Sequence, residues 1–160
     1  MLKHKQLMLM VPGLAKQEGK MDFYQALSPR GIYQTINVVR KIKEDSCDNP
    51  EFIFSATALY MRQTAEILHQ TFPLAEVVFQ DNLYTANEKN LLNFLSHLDD
   101  IFERLLILSE AEPIQKLVVQ LTGQEHELLP SACLCICWPL DQSWKTIDQS
   151  NGQLTQLWMP

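Results

Sequence analysis

The chain has 160 residues, of which 46% are hydrophobic and 20% are charged, and this composition excludes a disordered protein. The net charge is −6 and the thirteen lysines and arginines are scattered, so the basic stripe of a nucleic-acid binder is missing. The apolar run at residues 7–12 is too short to span a membrane and lacks a secretory cleavage site. These features predict a single cytoplasmic domain over residues 1–160 that binds neither nucleic acid nor membrane.

Strands and helices are predicted to alternate over the first two thirds of the chain. Short apolar runs bounded by turn residues predict strands at 5–11, 51–55, 75–79 and 104–108. Helical spacing of apolar residues predicts helices at 28–44, 59–70, 87–98 and 113–121. In the first of these helices Ser28 is the expected N-cap and Pro29 occupies the first helical position. The apolar residues at helical spacing are Ile32, Ile36, Val39 and Ile42.

The last third of the chain predicts strands at 132–138, 144–147 and 153–158, the last of them after a turn at 150–152. Alternating strand–helix units that end in strands indicate an α/β three-layer sandwich. Its central sheet should be mostly parallel, with antiparallel strands added at the carboxyl-terminal end.

Cysteines are predicted to fill the core. Cys133, Cys135 and Cys137 alternate along one predicted strand and therefore share one of its faces, and their spacing is not that of a zinc site. Cysteine buries well as a small hydrophobe, so a metal or redox role is the weaker alternative. Together with Cys47 they should remain free thiols, and the sequence predicts no metal site and no cofactor.

Several segments, in chain order, resemble the small bacterial phosphohistidine phosphatases of the SixA type, within the phosphoglycerate mutase-like histidine phosphatase superfamily. They are LSPRG at 27–31, FSATALYMRQTAEIL at 54–68, LYTA at 83–86, LLPSA at 128–132, and the closing SWKTI and GQLTQLW. The resemblance implies a phosphoglycerate mutase-like fold. It also implies a site at the carboxyl ends of the parallel strands, where open α/β sheets form their crevice.

The same resemblance implies that every catalytic position has been replaced. The family uses a nucleophilic histidine, a second histidine, phosphate-binding arginines and an acid that protonates the leaving group. Those positions fall on Pro12 for the nucleophile, Glu110 for the second histidine, Val11 and Tyr60 for arginines, and Thr85 for the acid. Proline cannot form a phosphoenzyme, and a carboxylate at the second histidine's position would repel phosphate.

The expected lining of the former pocket is Gly13, Tyr60, Arg62, Thr85, Glu110 and His126. Arg62 lies two residues beyond Tyr60 and should therefore point away from it on a helix. The crevice is expected either to have filled in or to bind something other than a phosphoryl group. A further alternative is new chemistry on paired carboxylates, or a hard metal, at Asp22, Glu110 and Glu112.

The sequence therefore predicts a catalytically inactive, SixA-like pseudophosphatase that serves as a protein-interaction or regulatory module. The alternatives are a phosphatase with a rebuilt site, in which a histidine such as His126 enters the pocket, and a small-molecule binding module. A protein partner is expected, and two surfaces could contact it. One is the predicted helix 87–98, and the other is an apolar patch formed by Trp138, Trp144, Trp158 and Met159.

Overall fold

A computed structural model of the chain describes residues 3–19, 21–45, 47–148 and 150–160. These residues form one sheet with strand order β3-β2-β4-β1-β5-β6. Strands β1 to β4 run parallel, whereas β5 pairs antiparallel with both β1 and β6. The predicted mixed sheet is thus confirmed, and the strands are β1 (His4–Met10), β2 (Phe52–Ser55), β3 (Glu76–Phe79), β4 (Arg104–Leu108), β5 (Cys133–Pro139) and β6 (Gln153–Trp158).

Four helices cover the two faces of the sheet, namely α1 (Pro29–Glu44), α2 (Leu59–Thr71), α3 (Glu88–Ser96) and α4 (Ala111–Thr122). Side chains of β1 alternate between the two cores. Leu7 and Leu9 pack in the core that includes residues of α3 and α4, and Met8 and Met10 pack with residues of α1 and α2. This alternation produces the predicted three-layer sandwich, because parallel strands in such a fold are buried on both faces.

Helix α1 begins as predicted, but its buried face differs from the prediction. The Ser28 hydroxyl accepts a hydrogen bond from the Gly31 N–H at 2.9 Å, and Pro29 follows the cap. Of the four apolar residues at helical spacing, Val39 and Ile42 are buried, whereas Ile32 and Ile36 are 41% and 50% exposed. The buried stripe instead runs through Gly31, Thr35, Val38, Val39 and Ile42. Gly31 lies on this buried side because the Leu14 backbone packs so closely against it that a Cβ would not fit.

The predicted strand at 144–147 is wrong, because Trp144–Thr146 form a short 3₁₀ helix. The Asp100 carboxylate accepts a hydrogen bond from the Trp144 N–H at 2.8 Å, and the indole N–H of Trp144 donates to the Phe102 carbonyl at 2.8 Å. Trp138 and Trp158 are also buried. An exposed tryptophan patch is therefore excluded.

Cysteines of β5 fill the core as predicted. Cys133 and Cys135 are fully buried in the core on the α1 and α2 side, and Cys137 is half-buried at its edge. All four cysteines are free thiols. None of the helices in the described part of the chain is both long and apolar enough to cross a membrane.

Candidate functional site

A cavity of about 270 Å³ opens at the carboxyl ends of the parallel strands. Strand β1 runs into its wall at residues 11–15, and the residue after Ser109 at the end of β4 forms another side. This is the edge at which an α/β sheet usually places its site. The chemically informative lining residues are Val11, Pro12, Gly13, Asp22, Tyr60 and Glu110.

The wall after β1 is held by the segments that carry the family resemblance. The Gly13 N–H donates to the Thr64 hydroxyl at 3.1 Å, which fixes the loop to α2. The Leu14 carbonyl accepts from both the N–H and the hydroxyl of Ser28, at 2.9 and 3.0 Å. A Cβ on Gly31 would lie 2.2 Å from that same carbonyl oxygen. The LSPRG segment therefore supports the loop that lines the cavity, in addition to starting a helix.

Tyr60 and Glu110 are bonded to each other across the crevice. The Tyr60 phenol, in the first turn of α2, donates a hydrogen bond to the Glu110 carboxylate, which precedes α4. Burial raises the pKa of the Tyr60 phenol, and its bond to the neighbouring Glu110 carboxylate raises that pKa further. The phenol is consequently protonated at neutral pH and donates to Glu110.

The lining of the crevice is acidic. Asp22 and Glu110 both contribute to it, and the described residues that line it include no lysine, arginine or histidine. The Tyr84 phenol near this cluster has a raised pKa, first because of its partial burial and then because of the Asp22 and Glu110 charges. A negative crevice of this kind favours cations and neutral groups over phosphate.

Three of the residues expected to line the pocket lie elsewhere. Arg62 is exposed on α2, two positions from Tyr60 and thus on another face of the helix. Thr85 lines a separate cavity with Asn90 and His97, beside α3. His126 lies in the loop after α4 and lines a third cavity, together with Gln115 and Lys116. Gly13, Tyr60 and Glu110 do line the crevice.

The carboxylates considered for a hard metal are divided between two environments. Asp22 and Glu110 line the crevice, whereas Glu112 is exposed and pairs with Lys116 at 2.9 Å, one turn along α4. Within the ranges that the structure describes, no group of three histidine, cysteine or acidic residues could hold a metal ion. Leu14, Gln17 and Pro130 also line the crevice and were not predicted.

Comparison with known proteins identifies the class of fold. No family model and no curated protein matches the chain. Solved structures do match it, and they show that the chain has the α/β fold of the phosphoglycerate mutase-like histidine phosphatases. This finding confirms the fold that the sequence predicts.

Within that class, the chain matches SixA proteins over nearly its full length. One is a protein from Nakamurella multipartitia assigned as the phosphohistidine phosphatase SixA, with a TM-score of 0.82, 16% identity, and coverage of 98% of this chain and 96% of that chain. A second, from Agrobacterium tumefaciens with the same assignment, has a TM-score of 0.82, 16% identity and 98% coverage of each chain. The protein histidine phosphatase SixA complexed with tungstate has a TM-score of 0.75, 16% identity and 96% coverage of each chain.

Proposed function

We propose that this domain is a catalytically inactive, SixA-like pseudophosphatase that acts as a protein-interaction or regulatory module. The observation that carries the proposal is the hydrogen bond between Tyr60 and Glu110 in the crevice that Pro12 also lines. By the family resemblance, Tyr60 and Glu110 occupy the positions of a phosphate-binding arginine and the second histidine. Two residues that would have to hold a phosphoryl group hold each other instead.

The chemistry of the lining supports inactivity at each step of the family's reaction. Pro12 has no side-chain nitrogen or oxygen with which to attack phosphorus. Val11 cannot neutralise phosphate charge, and the carboxylates of Asp22 and Glu110 oppose it. Thr85, at the position of the acid, lies beside another cavity and cannot protonate a leaving group near neutral pH.

The histidines offer no substitute for the missing nucleophile in this arrangement. His4 begins β1 at the opposite end of the sheet from the crevice, where it lines a different cavity. His69 and His97 are exposed near the ends of α2 and α3, and His126 lies beside α4. A phosphatase with a rebuilt site would need one of these loops or helix ends to move into the crevice.

Activity and oxyanion binding test the proposal. The purified protein should not hydrolyse p-nitrophenyl phosphate or a phosphohistidine peptide, and tungstate should not raise its Tm. The double variant Tyr60→Arg/Glu110→His adds two cationic or imidazole groups to the crevice and should gain tungstate binding. The matched variant Tyr60→Phe/Glu110→Gln breaks the same bond without adding a cation and should not gain it. Turnover by the wild-type protein that His126→Ala abolishes would establish the rebuilt phosphatase instead.

An exposed apolar strip on α1 supports the protein-interaction part of the proposal. Ile32, Tyr33 and Ile36 are 41%, 67% and 50% exposed and lie on one side of the helix. Helix α3, the surface suggested by the sequence, contributes none of the large exposed apolar side chains found among the described residues. Apolar side chains grouped on a helix face are typical of a protein contact.

Affinity purification from the native host tests this surface. The variant Ile32→Lys/Ile36→Lys should lose a partner that the wild-type protein retains. Val119→Lys, which places the same charge at an exposed apolar position on α4, is the matched control and should retain it. A partner that both variants retain would show that the strip on α1 is not the contact.

A small-molecule binding module is the second candidate, and the open crevice favours it. The cavity of about 270 Å³ shows that the crevice has not filled in completely, and its lining is acidic. A small organic cation should then raise the Tm, and the increase should vanish in Glu110→Gln. If ammonium compounds produce no shift in the wild-type protein, this second candidate is refuted for that ligand class.

A further inference from the structure

A second cavity, of about 930 Å³, lies at the other end of the sheet, where the parallel strands begin. The seven residues of β1 separate it from the crevice by about 20 Å along the strand. Two cysteines from distant parts of the chain meet in its wall: Cys47 in the loop between α1 and β2, and Cys137 on β5. The other polar lining residues include His4, Glu51, Arg104 and Gln156.

Three thiols form a continuous cluster behind this wall. The Sγ atoms of Cys135 and Cys137 are 3.9 Å apart, and Cys47 packs against the buried cluster that contains Cys135. Cys47 Sγ also contacts the side-chain oxygen of Gln156, the residue paired with Cys135 across β5 and β6. Cys135 is therefore a buried thiol placed between two thiols that reach the cavity.

Reactivity differs among these thiols in a way that follows from their surroundings. Hydrogen bonding from Cys135 lowers the pKa of both Cys47 and Cys137. Hydrogen bonds to those two neighbours raise the pKa of Cys135, and burial raises that of Cys133. Since the thiolate is the nucleophile, the accessible thiols are the ones that an oxidant meets in reactive form.

Strand geometry decides which two sulfurs can join. Cys135 and Cys137 are two residues apart on one strand, so their Cα atoms are about 6.8 Å apart, at the outer limit for a disulfide. Their Cβ vectors also run side by side. Cys47 lies on a separate segment between α1 and β2, outside the strands of the sheet.

We propose that Cys47, Cys135 and Cys137 form a peroxide-responsive thiol site in which Cys47 and Cys135 become a disulfide. The Cys47 thiolate attacks a hydroperoxide oxygen, the O–O bond breaks, and Cys47 becomes a sulfenic acid as hydroxide leaves and takes up a proton. The sulfur of Cys135 then attacks the sulfur of Cys47, the S–O bond breaks, and the departing hydroxide takes the Cys135 proton. Two thiols and one hydrogen peroxide thus give one disulfide and two waters.

The bond would tie the loop between α1 and β2 to β5 at the mouth of the cavity. This site is independent of the proposed loss of phosphatase chemistry, because it lies at the opposite end of the sheet. Cys133 continues the same face of β5 but is fully buried and is not among the residues that line the cavity. It serves as the matched control.

Mass spectrometry of the full chain tests the proposal. Reduced protein is treated with hydrogen peroxide, blocked with iodoacetamide and digested with trypsin. Before blocking, we expect an intact mass lower by two hydrogen atoms. After digestion, we expect a cross-link between the peptides 44–62 and 117–145. The link should disappear in Cys47→Ser and in Cys135→Ser, and should persist in Cys133→Ala and Cys137→Ser.

Three results would overturn the assignment. They are addition of oxygen without a cross-link, a disulfide confined to the 117–145 peptide, and a cross-link that persists in Cys135→Ser. Because Cys135 is buried, far-UV circular dichroism must first show that its variant folds. Cys47→Ser changes only a half-buried loop residue and keeps the test decisive if the Cys135 variant does not fold.

Discussion

The Asp100 carboxylate connects three parts of the molecule. Replacing Asp100 should lower the free energy of unfolding far more than replacing its buried partner Lys5. Asp100 accepts from the ammonium of Lys5 on β1 at 3.0 Å, from the Trp144 N–H at 2.8 Å and from the Ser143 hydroxyl at 2.8 Å. The Lys5 ammonium also lies 4.7 Å from the centroid of the Trp144 ring. The perturbation is Asp100→Ala, compared with Lys5→Met.

The expected losses of stability depend on which of the two charged side chains is exposed to water. The Lys5 side chain is 1% exposed and that of Asp100 is 51% exposed. Breaking a buried ion pair costs about 3–5 kcal/mol when a buried charge is left alone, and the partial exposure of Asp100 places Asp100→Ala near the lower limit of that range. Lys5→Met leaves an anion that water hydrates and fills the space with an apolar side chain of similar length, so it should cost less than about 1.5 kcal/mol.

Urea unfolding followed by circular dichroism at pH 7 measures the difference. A loss of about 3 kcal/mol should also lower the Tm by about 6–12 °C in a chain of this size. Asp141→Ala, at an exposed aspartate, is the control and should stay within about 0.5 kcal/mol of the wild-type protein. If Lys5→Met destabilises as much as Asp100→Ala does, the reasoning from unequal exposure is refuted.

The same carboxylate gives a pH prediction: the Trp144 N–H, followed by Lys5, lowers the pKa of Asp100 from 3.8 to about 2. Its contribution to stability is therefore complete above about pH 4 and lost as the pH falls towards 2, and Asp100→Ala should flatten the decline of the urea midpoint in that interval. Tyr60→Phe removes the donor to Glu110, whose exposed carboxylate can bind water instead. Urea titration should therefore show a loss of stability of about 1 kcal/mol, and a loss above about 3 kcal/mol would contradict this. In Gly31→Ala the new Cβ would lie 2.2 Å from the Leu14 carbonyl oxygen, and calorimetry should show a Tm lowered by an amount equivalent to about 2–3 kcal/mol.

The sequence was sufficient to predict the sheet, because its strands are short apolar runs separated by clear turn residues. Strands β4 and β6 have exactly the predicted bounds. The prediction failed at Trp144, where bulky residues suggested a strand. A hydrogen bond from its backbone N–H to Asp100, a residue distant in sequence, stabilises a 3₁₀ turn instead. Tertiary contacts of this kind cannot be predicted from the local sequence pattern.

The sequence predicted where the crevice lies, but not how its side chains contact one another. The family resemblance indicated Pro12, Gly13 and Glu110 as crevice residues, and in the structure each follows the end of a parallel strand. The bond between Tyr60 and Glu110 depends on how α2 is rotated toward the start of α4, which no spacing within either helix specifies. The prediction for Thr85 rested on the family resemblance and that for His126 on the position of its loop, and both residues line other cavities.

The two proposals concern opposite ends of the sheet, and the contacts around the crevice explain how its side chains could change without loss of the fold. The wall of the crevice is fixed by backbone and hydroxyl contacts, between Gly13 and Thr64 and between Leu14 and Ser28, and not by the side chains of Tyr60 and Glu110. Side chains that project into the cavity can therefore be exchanged for Tyr60 and Glu110 while the wall stays in place. Under the proposed function, the acidic lining of the crevice opposes phosphate, and we expect any ligand that binds there to be cationic or neutral.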